Sequence, residues 1–323
     1  MLLAACLDFA GACDFEEVSR LLSALAEAIV RRALGVASRS LRGPAPELGV
    51  VAMGKLGGRE FTYHSDLDLI FLYGGGVEAV PGASRMVQRL ISYVSTMTGA
   101  GFAYAVDSRL RPSGNQGMLV TSFDGFEEYQ SSDAATWEYL ALVRARPIAG
   151  SRATTEAVLE RVQQRAFGCG GGRWGDVADM RRRIEAERAG RDHRAIELKT
   201  GAGGLMDVEF LAEGGVLERG RCREAAPLPA VPSLLTATAG AEPARETLAS
   251  YRLLRRVESR MRWCAGRAVE SLERDDPRLA DVAELVEPGL GASALAARIE
   301  AARASIRRGF EAVIGAGSIR ALR

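Results

Sequence analysis

GKLGGREFTYHSDLDLIFLY, residues 54–73, is the stretch whose reading decides the fold. Its second part, Leu67 to Tyr73 (LDLIFLY), is nearly continuous in apolar residues, the pattern of a strand buried on both faces. Side chains on a strand alternate with a period of two. Asp66 and Asp68, at the mouth of this strand, therefore project from one face. Two carboxylates on one face repel each other, and a cation that neutralises them relieves that cost. An all-oxygen pair suits Mg²⁺, which commonly takes one or two carboxylates and completes its shell with water and substrate phosphates. Taken alone, the pair is explained more simply as a solvated strand end carrying two surface aspartates.

Upstream, LGVVAM (48–53) is a short apolar strand that runs into the glycine cluster GKLGG (54–58). Glycines there let backbone N–H groups approach phosphate oxygens; a tight turn accounts for the same residues. Downstream, residues 84–98 form a helix with Met86, Leu90, Val94 and Met97 on one face and Gly99 as its stop. Phe102 to Asp107 alternates as a strand, with Phe102, Tyr104 and Val106 on one face and Ala103, Ala105 and Asp107 on the other. Met118 to Thr121 is another short strand. Asp107 is a candidate third carboxylate. Arg109 and Arg111, in RLRPSG (109–114), share a period-two face and could clamp a polyphosphate, or stand as two surface arginines. Each cue is weak alone; in this order they favour metal-assisted nucleotide chemistry.

Around this block lie helices. Residues 16–40 place Leu22, Leu25, Ile29, Ala33 and Val36 at helical spacing. From about residue 123 the pattern turns helical and stays so, broken by FGCGGGRWG (167–175) and by a Pro- and Ala-rich loop (225–243). Leu254, Val257, Met261 and Cys264 make a stripe beneath an arginine-rich face, and 291–315 is an Ala-rich helix. The expected class is α+β: an N-terminal helical segment (1–47), a module with a small mixed sheet (48–150) and a helical domain (151–323).

Composition bounds the function. The net charge of +1 over 323 residues gives no bulk argument for nucleic acid or for a membrane surface, and no apolar run reaches the ~20 residues that span a bilayer. Neither is expected as a partner. MLLAACLDFAGACDF, at the start, has no basic n-region and is read as a helix whose upstream partner is missing. Cys6, Cys13, Cys169, Cys222 and Cys264 form no CxxC pair and fit free thiols in a reducing cytoplasm. His64 and His193 are the only histidines, which excludes a histidine-rich metal site.

Four blocks, GKLGGREFTYHSDLDLIFLY (54–73), VDSRLRPSGNQGMLVTS (106–122), WEYLALVRARPIAG (137–150) and ELKTGAGGLMDVEF (197–210), resemble in order and spacing the glutamine synthetase adenylyltransferase family. The resemblance covers at least residues 48–212 and implies a polymerase-β-like nucleotidyltransferase module followed by a helical bundle. Members of the family carry two related halves: one moves AMP from ATP to a tyrosine of glutamine synthetase, the other removes it by phosphorolysis. RLRPSGNQGMLVTS with ALVRAR is more similar to the C-terminal, adenylylating half. By position, Asp66, Asp68 and Asp107 match the family's metal-binding carboxylates, implying two Mg²⁺ ions. Gly57, Gly58 and Ser65 match the segment around the triphosphate, and Arg109, Arg111 and Lys199 fall in matching motifs as nucleotide-binding candidates. Glu213 stands where the family motif commonly has glutamine. Asp207 and Glu209 do not share a helix face, so they are not paired as ligands. The implied partners are glutamine synthetase and a PII-type signal protein. Rival readings are the deadenylylating activity, a nucleotidyltransferase for RNA or a small molecule, and a non-catalytic remnant that binds glutamine synthetase or a PII-type protein.

Overall fold

The computed structural model describes every residue except 42, 100, 113, 168–169, 171–172, 189–194, 221–228 and 321–323; for 115, 188 and 316–320 it describes the backbone only. His193, Cys169 and Cys222 therefore lie outside the described residues. The chain divides into two compact units, Met1–Leu7 with Glu16–Gly168, and Asp8–Phe15 with Cys169–Arg323.

Helix α1 (Leu2–Phe9) contributes to both units, and α2 (Phe15–Arg39) opens the main body of the first. The buried stripe of α2 runs through Val18, Leu22, Ala26, Val30, Leu34 and Ala37. Leu25, Ile29 and Val36, expected on the buried face, are only half-buried. A stripe at steps of three and four residues is a stable helix face, but its centre is set by the small alanines rather than the largest apolar residues.

A mixed sheet follows, built from β1 (Leu48–Ala52), β2 (Leu67–Tyr73), β3 (Val106–Asp107), β4 (Thr121–Ser122) and β5 (Arg146–Gly150). The order is β3-β2-β1-β5, with β4 also on β2. β1 is antiparallel to β2 and β5, whereas β3 and β4 run parallel to β2. β2 is central and buried along nearly its whole length, as its apolar run requires. Between these strands lie α3 (Gly54–Gly57), α4 (Val80–Ser95), α5 (Phe123–Ser132) and α6 (Thr136–Val143), and α7 (Arg152–Phe167) packs on β1 and β5.

Three sequence expectations are corrected here. Helix α4 ends at Ser95, before Gly99, because Thr96 turns extended, and Met97 is left exposed. The strand expected over Phe102 to Asp107 pairs only at its last two residues, and the one expected over Met118 to Thr121 pairs only at Thr121–Ser122. β5 was not expected at all. Its Pro147 is tolerated because β5 is an edge strand, where a missing N–H need not break a ladder.

The second unit holds α8 (Trp174–Arg188), β6 (Ala195–Glu197), α9 (Leu205–Arg219), α10 (Val231–Ala239), α11 (Ala241–Ala265), β7 (Ser271–Glu273), α12 (Arg278–Val286) and α13 (Ala292–Arg320). β6 and β7 pair antiparallel into a small ribbon that helical periodicity hid. α10 lies inside the expected 225–243 loop and has Pro232 as its second residue, which suits a helix's first turn. On α11, Leu254, Val257 and Met261 are buried as expected, and part of the arginine-rich face is buried with them. Arg255, Arg260 and Arg262 are buried: Arg255 and Arg262 pair with Glu258, and Arg260 pairs with Asp8.

Candidate active site

The mouth of β2 carries two carboxylates side by side. Asp68 lies directly beside Asp107 across the parallel β2–β3 pair, and Leu67 N donates to Ala105 O at 2.9 Å to fix that register. Asp66 stands one residue ahead of β2 and is exposed. Arg109 closes the group. Its Nε donates to both oxygens of Asp107 at 3.0 and 2.9 Å, and its Nη2 to Oδ2 at 2.5 Å. The Arg109 hydrogen bond holds the Asp107 carboxyl below the ordinary carboxylate range, against the upward push of its partial burial. Asp107 in turn keeps Arg109 more firmly protonated, and the charges of Asp68 and Asp66 add to that effect. One exposed cation thus sits in the field of all three carboxylates.

Gly54 is the feature the sequence did not single out. Its φ of +50° is left-handed, and a Cβ there would lie 2.6 Å from Asp68 Oδ2. Only glycine meets both conditions at low cost, so the first residue of GKLGG sets how closely the chain approaches the Asp68 carboxylate.

Gly57 and Gly58 lie close against Arg144. A Cβ on Gly57 would stand 2.2 Å from the carbonyl oxygen of Arg144, and one on Gly58 would meet the Arg144 guanidinium. Arg144 and Glu60 are both buried and joined at 2.7 Å. This pair fastens the loop after α3 against the residue leading into β5. Removing one partner of a buried pair commonly costs about 3–5 kcal/mol. Ser65 is buried in a turn, where its Oγ accepts from Thr62 N at 3.4 Å. Tyr104 packs edge-on against Phe61, and burial pushes its hydroxyl up to about 12.

Arg109 and Arg111 do not share a strand face; both lie in the turns after β3. Arg111 donates to Ser108 O at 2.7 Å and to Gly117 O at 3.3 Å, and so shapes its own loop. Lys199 belongs to the second unit, where it pairs with Glu270 at 3.1 Å. Burial works against its charge, but Glu270, Glu209 and Glu258 outweigh that and hold the ammonium above its ordinary value. Asp207 is fully buried on α9, bound to the Arg181 guanidinium and accepting from Gly203 N at 2.8 Å.

A family profile described as glutamate-ammonia ligase adenylyltransferase matches residues 1–161. Over those residues the chain is similar to the glutamate-ammonia ligase adenylyltransferase family. A second profile, described as PII-uridylyltransferase, matches residues 178–314. The break between the two compact units falls between these adenylyltransferase-family and uridylyltransferase-like segments. Relatives named bifunctional glutamine synthetase adenylyltransferase/adenylyl-removing enzyme are similar across both. That of Aromatoleum aromaticum is 37% identical over 276 residues, covering 79% of this chain and 28% of the relative. That of Stenotrophomonas maltophilia is 38% identical over 244 residues, covering 69% of this chain and 26% of the relative. That of Xanthomonas campestris is 40% identical over 219 residues, covering 61% and 23%. The chain thus spans about a quarter of the length of the curated relatives it matches. Among the described residues, no helix is long and apolar enough to cross a membrane.

Proposed function

We propose that this chain is a protein adenylyltransferase that moves AMP from ATP to a tyrosine hydroxyl of glutamine synthetase, releasing pyrophosphate and thereby regulating nitrogen assimilation. The observation that carries the reading is the cross-strand alignment of Asp68 with Asp107 at the mouth of β2, under the charge of Arg109. The family of residues 1–161 supports it. The module over 48–150 is read as polymerase-β-like, with the helical domain of 151–323 after it, and a cytoplasmic setting belongs to the same reading.

The donor set fits Mg²⁺. It consists of carboxylate oxygens, and the β2–β3 register puts two of them side by side, where a cation relieves their repulsion. Among the described residues, no three acidic, histidine or cysteine side chains form a ready-made cage. Asp66, Asp68 and Asp107 would hold two Mg²⁺ ions, which would neutralise the triphosphate and polarise the phosphorus under attack.

The protein's own residues do the rest. Gly54 fixes the Asp68 carboxylate, and the Glu60–Arg144 pair anchors the loop that carries it. Gly57, Gly58 and Ser65 shape the turn beside the triphosphate, while Arg111 and Lys199 are assigned to the nucleotide from their motifs. Arg109, with its side chain 71% exposed, is able to leave Asp107 for a phosphate oxygen. Asp107, relieved of that donor, becomes the better base and accepts the tyrosine proton at its carboxylate. The phenol oxygen attacks in line, the bond to the α-phosphorus forms, and the bond to the pyrophosphate oxygen breaks.

Incubation with ATP labelled at the α-phosphate, Mg²⁺ and glutamine synthetase should leave labelled AMP on the synthetase. Release of ADP from adenylylated synthetase and inorganic phosphate, without forward labelling, would replace this reading by deadenylylation. The profile match over 178–314 supports a PII-type signal protein as a second partner.

A further inference from the structure

Arg109 engages both oxygens of Asp107 at once. Its backbone N donates to Oδ1 at 2.8 Å, its Nε to Oδ1 and Oδ2 at 3.0 and 2.9 Å, and its Nη2 to Oδ2 at 2.5 Å. A carboxylate offers about four acceptor sites, and this one arginine makes four contacts with them. The fork is a local structure. In the second unit Arg278 closes on Asp276 with the same spacing of two residues, from its backbone N at 2.9 Å and its Nε at 3.0 Å.

Its setting separates Arg109 from Arg278. Asp68 stands beside Asp107 across the β2–β3 pair, and the charges of Asp68 and Asp66 both reach the Arg109 guanidinium. A divalent cation entering beside Asp107 would meet that like charge and compete with the four contacts. A triphosphate changes the balance. Its oxygens match the planar fork as a carboxylate does, and it carries more negative charge. The Arg109 side chain is largely exposed, so it can turn to a phosphate without disturbing the core, while its backbone N–H keeps its hold on Asp107 Oδ1.

On the reading of Asp66, Asp68 and Asp107 as metal ligands proposed above, we infer that Arg109 is a gate on that site. It occupies Asp107 until a polyphosphate draws the guanidinium away, and only then is the carboxylate open to the metal. Metal and nucleotide therefore bind as a coupled pair. Linkage makes the coupling mutual, each tightening the other by the same factor.

The test is binding of each partner alone to the full chain. Free Mn²⁺, followed by electron paramagnetic resonance, reports the metal without nucleotide; calorimetry with α,β-methylene-ATP in EDTA reports the nucleotide without metal. Arg109→Met should tighten Mn²⁺ by about tenfold and weaken the metal-free nucleotide by about tenfold, at an unchanged melting temperature. Arg109→Gln should behave alike. In an Asp107→Asn background, Arg109→Met should bring no gain in Mn²⁺ affinity. An unchanged Mn²⁺ affinity in Arg109→Met, or a gain that persists without the Asp107 carboxylate and so comes from the lost charge alone, would overturn the gate. Mg²⁺-dependent binding of α,β-methylene-ATP to the wild type, beside either result, leaves the metal–nucleotide reading standing; its absence removes both.

Discussion

Asp68 and Asp107 in the first unit, and Asp207 in the second, are acidic residues in neighbouring motifs of one chain, yet their surroundings differ in kind. Asp207 is fully buried, tied to the buried Arg181, and within 3.6 Å of Arg307. Asp68 and Asp107 are half-buried side by side, and the cation on Asp107 is a largely exposed arginine. A carboxylate whose partners are locked inside the fold holds helices together. Carboxylates set side by side at a strand mouth next to a largely exposed arginine are the ones we propose to take a metal. Burial and partner, rather than the motif, separate the two roles.

The comparison breaks first at the strand mouth. Asp66→Asn with Asp68→Asn should cut AMP incorporation by about 10³-fold or more, with an unchanged melting curve. Activity surviving in that double variant would move the reaction elsewhere. Asp207→Ala should do the reverse. It leaves Arg181 buried without its partner, so urea unfolding should lose about 3–5 kcal/mol, while Mg²⁺-ATP binding at the strand mouth persists.

Gly54→Ala sharpens the contrast. A left-handed alanine costs about 1–2 kcal/mol, and its Cβ would push Asp68 aside; steady-state rates should fall more than stability does, by about tenfold or more. The smallest effect is on pH. Asp107 is held below the ordinary carboxylate range by Arg109, so its charge, and any binding that uses it, is lost only as pH falls through that lowered value. Arg109→Met lets Asp107 titrate at higher pH. The acid limb of Mg²⁺-ATP binding should therefore shift upward, read from affinities across a pH series.

Much of the framework is legible in the sequence because it rests on periodicity. β2 reads as a buried strand because it is one, and α2 reads as a helix although its buried stripe is rotated toward alanines. β5 is not legible, since Pro147 and Gly150 in RPIAG look like a turn and only the neighbouring β1 makes it a strand. β6 and β7, three residues each, are too short to show a period. The burial of the α11 arginines is not legible either: Arg255 and Arg262 have Glu258 within four residues, but the partner of Arg260, Asp8, lies 252 residues away. At the candidate site, alternation pairs Asp66 with Asp68 in the sequence, but Asp66 stands ahead of β2, and the side-by-side placement of Asp68 and Asp107 depends on a parallel register no local pattern specifies. The glycines of GKLGG are readable as places of close approach. Which partner each approaches, the Asp68 carboxylate for Gly54 and Arg144 for Gly57, is a property of the fold.

Calorimetric titration of Mg²⁺-ATP into the wild-type chain and into Asp68→Asn tests the central claim most directly. Saturable binding that requires Mg²⁺ and is lost in Asp68→Asn, with the fold intact, is the predicted result. Binding of equal affinity in the two proteins, or binding indifferent to Mg²⁺, would contradict the assignment of the β2 mouth as a metal–nucleotide site.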